Sequence, residues 1–223
     1  MARLLAIGDV HGCLTALETL LGVVKPTEDD EIVMLGDYID RGPDSRGVIE
    51  YLRKHQLAEN WTLLRGNHEI MMVQARHSRS DRRFWQAVGG QEALESYADH
   101  VNGPTIESVP DAHWLFLDRL SDWYETEEFI FVHAGLHPDR PLQNQETNDL
   151  HWEVLNPERF RPHCSGKTIV CGHTEQRNGT PLVLPGVICL DTWAYGNGWL
   201  TCMDLISGKY WQANDLGEVR AEC

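Results

Sequence analysis

Gly36-Asp37-Tyr38-Ile39-Asp40-Arg41-Gly42 is the segment around which the chain is organised. Two carboxylates and a guanidinium stand within five residues, with a glycine at each end. The run before it, Glu31-Ile32-Val33-Met34-Leu35, is short, apolar and rich in strand formers. Pro43 then marks a turn, and a helical pattern runs from Ser45 to Lys54. The acids therefore stand at the carboxyl end of a strand, on the loop leading into a helix, where open α/β sheets bind ligands. Gly36 and Gly42 let the backbone come close to whatever the acids hold. In isolation the same seven residues also read as a solvated acidic turn. The rest of the chain decides between the two.

The same unit occurs on either side. Leu4 to Ile7 reads as a strand ending in Gly8-Asp9-Val10-His11-Gly12, and Leu14, Leu17, Leu20 and Leu21 follow at helical spacing. A third unit has a strand at Trp61 to Leu64, the loop Arg65-Gly66-Asn67-His68-Glu69, and a helix from Ile70 to Ala75. Three β-loop-α units in succession argue for a largely parallel sheet with helices on its faces. From Ser78 to Leu120 the pattern is helical and polar, anchored by Phe84, Trp85, Val88, Leu94 and Tyr97. This insertion shapes access to the site; without an acid or histidine cluster, packing is its expected role. Strands return at Phe129 to Val132, before His133-Ala134-Gly135, and at Thr168 to Cys171, before Gly172-His173-Thr174. The connection between them carries Pro138, Pro141, Pro157 and Pro162 and reads as loop. Further strands are expected at Val187 to Leu190 and Trp199 to Leu205, with a last one at Tyr210-Trp211-Gln212. The predicted architecture is α/β, two packed sheets flanked by helices, as one domain over 1–223 with the insertion at about 78–120.

The chain has 223 residues and a formal net charge of −15. That balance argues against nucleic acid or an anionic membrane as the main partner. The six cysteines form no C-x-x-C pair, and Cys171, Cys189 and Cys202 read as reduced core residues. The amino terminus reads as a first strand, not a signal sequence, and no apolar run approaches the ~20 residues of a membrane span. A cytoplasmic location is the expectation. An acidic protein that handles phosphates would need a local positive centre, from metal ions or arginines.

Five strand-terminal loops deliver metal-ligand chemistry: Asp9 with His11, then Asp37, Asn67, His133 and His173. Residues two apart in an extended segment point the same way, so Asp9 and His11 are expected to grip one ion together. Carboxylate, imidazole and carboxamide together suit divalent Mn, Fe or Zn, not a thiolate zinc site. Six ligands exceed what one ion with an open position needs; two ions sharing Asp37 as a bridge accommodate them. Manganese is the expected metal, with iron or zinc as alternatives.

In order, Gly8-Asp9-Val10-His11-Gly12, the Gly36 to Gly42 stretch and Gly66-Asn67-His68-Glu69 resemble the three signature motifs of the phosphoprotein phosphatase (PPP) family, within the calcineurin-like metallophosphoesterases. His133-Ala134-Gly135 and Gly172-His173-Thr174 are similar to its two remaining ligand motifs, so the resemblance runs from Leu4 to about Leu205. The short chain is more similar to bacterial, cyanobacterial and phage members than to the longer eukaryotic enzymes. The resemblance implies two mixed β-sheets sandwiched between helices. It places a first metal on Asp9, His11 and Asp37, and a second on Asp37, Asn67, His133 and His173. It also implies that Asp40 partners His68 and that Arg41 binds phosphate. Two metals roughly 3.5–4 Å apart would generate a hydroxide that attacks phosphorus directly. His68 would protonate the leaving alkoxide. The metals and Arg41 would supply the local positive centre. One departure stands out: where many members carry a second phosphate-binding arginine, this chain has Val154, and Arg159 and Arg161 are the nearby candidates to replace it.

The activity implied is a protein serine/threonine phosphatase, with phosphotyrosine and small phosphomonoesters as further substrates. The alternative is a dinucleoside polyphosphate hydrolase acting on diadenosine tetraphosphate. Those enzymes resemble the chain but typically have alanine where Asp40 stands. A non-catalytic regulator is the third reading, against which stands the complete ligand and acid–base set. The other histidines and Trp152, Trp193 and Tyr195 read as packing or surface residues, with Tyr195 the foremost candidate among them for a place at the site.

Overall fold

Leu4–Ile7 (β1), Glu31–Met34 (β2) and Trp61–Leu63 (β3) pair in parallel, each followed by a loop and a helix: Leu14–Val24 (α1), Ser45–Arg53 (α2) and Asn67–His77 (α3). The computed structural model describes residues 2–55, 58–98 and 103–222; His100 and Cys223 lie outside them. The insertion follows as Arg79–Trp85 (α4), a π-helical turn Gln86–Gly90, Gln91–Tyr97 (α5) and Asp111–Asp118 (α6). The second half is built from Trp123–Glu125 (β4), Phe129–Val132 (β5), the short helix Thr147–His151 (α7), Thr168–Cys171 (β6), Leu182–Leu184 (β7), Val187–Cys189 (β8), Leu200–Asp204 (β9), Tyr210–Ala213 (β10) and Val219–Glu222 (β11).

Among the described residues these strands form two mixed sheets, ordered β11-β10-β9-β1-β2-β3 and β4-β5-β6-β8-β7. The chain therefore has the expected α/β fold, two mixed sheets flanked by helices. Period-two alternation sorts the core into layers. Leu5, Ile7, Ile32 and Met34 face the helices and pack with Leu17, Leu20, Ile49, Leu52 and Met72. Their neighbours Ala6, Val33 and Leu35 face the other way and meet Phe131, Val170 and Leu190 between the sheets. Burial on both faces explains why β1 and β2 read as continuous apolar runs. The outer face of the second sheet (Ile130, Val132, Ile169 and Val187) packs under Leu142 and Leu150 of the long connection.

Three details depart from the sequence reading. α3 begins at Asn67, so Asn67 and His68 sit in a helical first turn and not on a loop. The Glu69 side chain accepts from Gly66 N at 2.8 Å, which starts the helix there. Tyr210–Ala213 is not the last strand, because β11 follows it, and β4 and β7 are further short strands. Phe84 is 59% exposed and no anchor of the insertion, whereas Trp85 is fully buried. No helix among the described residues is long and apolar enough to cross a membrane.

Candidate metal centre

The three parallel units of the first sheet end side by side, and backbone hydrogen bonds stitch their loops together. Val10 N and His11 N both donate to Asp37 O, at 3.0 and 2.8 Å, and Gly12 N donates to Tyr38 O at 2.8 Å. Glu69 closes the arrangement. Its carboxylate accepts from Asp37 N, Tyr38 N and Gly66 N at 2.8–2.9 Å. Burial pushes the Glu69 carboxyl up to about 7, and the nearby Asp37 charge adds to it. The second sheet brings His133 and His173 from the ends of β5 and β6, joined by Gly172 N donating to His133 O at 2.8 Å.

These loops are strained. Seven non-glycine residues have positive φ among those described, and six are His11, Asp37, Asp40, Arg41, His173 and Trp193. Each such residue costs on the order of 1–3 kcal/mol, and such strain clusters at functional sites. It also corrects one expectation. Asp9 and His11 do not share an extended segment, because His11 lies at φ 46°. The compact donor group around His11 contains Asp37 and His68, with ligand atoms within 4.8 Å of one another. Asp9 instead accepts from His173 N at 3.0 Å, against Gly172. A Cβ at Gly172 would lie 1.9 Å from Asp9 Oδ1, so only glycine lets that carboxylate through. Burial raises the Asp9 carboxyl well above the usual range, with Asp191 and Asp37 adding to the effect.

A second compact group joins Asp37 to His133 and His173, so Asp37 belongs to both. Asn67 Oδ1 lies 2.9 Å from His133 Nε2 and 3.1 Å from His173 Nδ1. Burial opposes ionisation of Asp37, but His133, His68 and His11 around it outweigh that and hold its carboxyl well below the usual range.

The donors fit a pair of divalent cations in their tautomers as well as their identities. His11 Nδ1 donates to Ile39 O and His133 Nδ1 to Leu35 O, each at 2.9 Å, while His173 Nε2 donates to Trp152 O at 3.2 Å. Each imidazole thus spends one N–H on a backbone carbonyl and turns its other nitrogen inward, as metal-ligating histidines do. His133 Nε2 and His11 Nε2 face Asp37 Oδ2 at 3.4 and 3.6 Å. Burial lowers the His11 imidazole well below its ordinary value and His173 to about 4, favouring the neutral ligand form in both.

Around this centre stand the other predicted residues. His68 Nδ1 lies 2.6 Å from Asp40 Oδ2, and His68 Nε2 faces Asp37 Oδ2 at 4.0 Å. Burial works to lower the His68 pKa, but Asp37 and Asp40 outweigh it and raise it. Arg41 Nη1 donates to His11 Nε2 at 3.0 Å, and its guanidinium lies 4.8 Å over the Tyr195 ring. The Tyr195 hydroxyl bonds Glu175, which also faces Arg41 Nη1 at 3.6 Å. Of the two arginines near Val154, Arg161 is engaged elsewhere. Arg161 pairs with Asp139 at 2.7 Å on the surface, and Arg159 lines a cavity of about 580 Å³ beside Val154. Arg65 is structural, reaching Leu120 O and Asp122. His113, His151 and His163 are buried packing residues bonded to Tyr97, Arg65 O and Arg140 O.

Four residues at the site escaped the sequence reading or were undervalued by it. Glu69 had a signal, an acid three residues into a helix that starts at glycine. Tyr195 stands out in the sequence only as the foremost of the aromatic and histidine candidates. Glu175 and Trp85 carried no pattern; Trp85 Nε1 donates to Asp40 Oδ2 at 2.7 Å from 45 residues away.

Comparison with known proteins places this geometry. The calcineurin-like phosphoesterase family model matches residues 2–207. The chain is 33% identical to serine/threonine-protein phosphatase 1 of Salmonella typhimurium, over 87% of this chain and 88% of that protein. It is 29% identical to the symmetrical bis(5'-nucleosyl)-tetraphosphatase of Pseudomonas putida, over 61% of this chain but only 43% of that protein. The chain thus spans less than half of that tetraphosphatase's length. A solved structure of a proposed diadenosine tetraphosphatase shares the fold, with a TM-score of 0.68 and 22% identity, over 100% of this chain and 94% of that one.

Proposed function

The chain belongs to the calcineurin-like phosphoesterase family, and we propose that it hydrolyses phosphoesters with two divalent ions held by Asp9, His11, Asp37, Asn67, His133 and His173. One observation carries this reading: three imidazoles, each tied back to a backbone carbonyl, converge on the shared Asp37. Divalent ions bound there supply Lewis acidity at the phosphoryl group and a water acidic enough to attack at neutral pH. Arg41, held between Tyr195 and Glu175, is the group available to grip a phosphoryl oxygen. His68 holds the proton for the leaving group on Nε2, while Nδ1 stays bonded to Asp40.

Two substrate classes follow from different observations. The geometry favours phosphomonoesters of alkyl alcohols, phosphoserine and phosphothreonine in proteins among them. An alkoxide needs protonation as it leaves, and the buried Asp40–His68 pair serves that need. The relative matched along most of its length carries the name of a protein phosphatase, which agrees. The comparisons taken together lean instead to the dinucleoside polyphosphate reading, since symmetrical tetraphosphatases recur among the relatives and the TM-score of 0.68 belongs to a structure of that description. Nucleotide leaving groups require no such acid.

A side-by-side assay separates the two. Metal-free protein reloaded with Mn is given a phosphoserine peptide, diadenosine tetraphosphate and a phosphodiester. Faster turnover of the peptide supports the phosphatase reading, and faster turnover of the tetraphosphate replaces it. No turnover of any of the three with Mn, Fe or Zn would overturn the enzyme assignment. His68→Asn is expected to slow the alkyl phosphate by on the order of 10²-fold, and p-nitrophenyl phosphate far less.

A further inference from the structure

The helical insertion reaches the acid of the site through one side chain. Trp85 closes α4, is fully buried, and directs Nε1 at Asp40 Oδ2 from 2.7 Å. The same oxygen takes His68 Nδ1 at 2.6 Å. The other carboxylate oxygen, Asp40 Oδ1, is buried with no hydrogen-bond partner. The rotation of this carboxylate is therefore set by two N–H donors that converge on one oxygen. Next to it the π-helical turn takes the backbone: Gly89 O accepts from Arg41 N at 3.0 Å. Gly89 lies at φ +124°, and a Cβ there would stand 2.6 Å from Arg41 Cγ. The insertion thus holds two consecutive residues of the Gly36 to Gly42 loop, one by its side chain and one by its backbone.

We propose that Trp85 is a positioning residue for the leaving-group acid: its indole N–H locks the Asp40 carboxylate in the rotation that aims His68 Nε2. The proposal rests on the reading of His68 as the acid. With Trp85 present, Asp40 cannot turn its partnerless Oδ1 toward His68 without breaking the indole bond. Without it, one hydrogen bond is left to fix both the carboxylate and the imidazole. The indole N–H of Trp85 bonds Asp40, which is not among the proposed ligands of the metal centre, so the effect falls on protonation of the leaving group and not on metal binding.

Two measurements test this. In a ¹H–¹⁵N spectrum of the protein, the Trp85 indole N–H is expected downfield of the other indole signals and is expected to move upfield in Asp40→Asn. An indole signal that does not respond to Asp40→Asn overturns the proposal without recourse to activity. In the Mn-loaded enzyme, Trp85→Phe is expected to lower kcat on a phosphoserine peptide by about tenfold, the scale of one hydrogen bond to a charged group, with KM and metal stoichiometry unchanged. The loss on p-nitrophenyl phosphate is much smaller, because a phenolate leaves without help. In a His68→Asn background Trp85→Phe adds no further loss on the peptide. Equal losses on both substrates, or a selective loss that persists without His68, would overturn it. A failure of the acid reading itself looks different: His68→Asn alone then slows both substrates equally, and the indole shift still decides whether Trp85 holds Asp40.

Discussion

The first sheet sends Asp9, His11, Asp37, Asp40, Arg41, Asn67 and His68 to the site, whereas the second sends His133 and His173 from the ends of β5 and β6. The two contributions are fastened differently. On the first sheet the loops hold each other, through Asp37 O, Tyr38 O and the Glu69 carboxylate, before any other part of the chain is considered. The second sheet's contributions are fastened across the interface by His133 Nδ1 to Leu35 O and by the His173 backbone N–H to Asp9, while the His173 imidazole itself is tied to Trp152 O. The first sheet is therefore a preorganised half-site that already carries the proposed acid and phosphate grip, and the second adds its two histidines across the interface. Asp37, present in both donor groups, is the hinge of the asymmetry.

Removing one proposed ligand from each sheet gives the largest expected contrast. Asp37→Asn is expected to cost on the order of 10³-fold in rate, about 4 kcal/mol at the transition state, and to reduce occupancy by both ions. His173→Ala is expected to cost about tenfold less and to leave one ion bound, as counted by metal analysis after dialysis. Equal losses in rate and stoichiometry would remove Asp37 from its shared role.

A smaller effect probes the fastening alone. Glu69→Gln puts an amide NH₂ among three backbone N–H donors while leaving every proposed ligand in place. Metal affinity is expected to fall about 10–100-fold, the usual scale for partners of the ligands, with the midpoint read by metal titration. An unchanged affinity would show that the backbone stitching is enough.

The smallest effect comes from an acid of the first sheet that lies outside the site. Asp30 is as buried as Asp37, yet it accepts from Arg3 N, Arg3 Nε and Arg3 Nη2 at 2.5–3.0 Å and from Thr27 N at 2.8 Å. Its bonds to the Arg3 side chain outweigh burial and hold its carboxyl below the usual range. A depressed carboxyl contributes stability that is complete above its unfolded value, about pH 4, and is lost as pH falls through the folded value. Asp30→Asn is expected to lower stability at pH 7 by about 2 kcal/mol, with the gap to the parent closing below about pH 4 and activity unaffected. A gap that persists unchanged to pH 2 in thermal unfolding would mean that packing, not charge, sets Asp30's contribution.

Much of the site was legible because parallel β-loop-α units deliver chemistry at strand ends, and strand ends are readable from apolar runs and glycines. Asp37, Asn67, His133 and His173 converge as that reading required. The argument for pairing Asp9 with His11 was not, since it assumed extended backbone where the chain turns left-handed at His11. Both residues still arrive, because backbone donors at Val10 and His11 lock onto Asp37 O. The insertion carries no acid or histidine cluster to signal a role at the site, and no local pattern marks a tryptophan whose one polar atom meets a carboxylate 45 residues away.

Read alone, the chain carries the order of the units, the two-sheet α/β fold and the residue types offered at each strand end. Those follow from local periodicity and turn chemistry, which act over a few residues. Tertiary structure alone decided which donors share an ion group, which nitrogen of each imidazole turns inward, and that Trp85, Glu175 and Tyr195 stand around Asp40 and Arg41. Those are set by sheet packing and by the strained loops it holds in place, and hydrogen bonds across 20 to 100 residues leave no period in the chain.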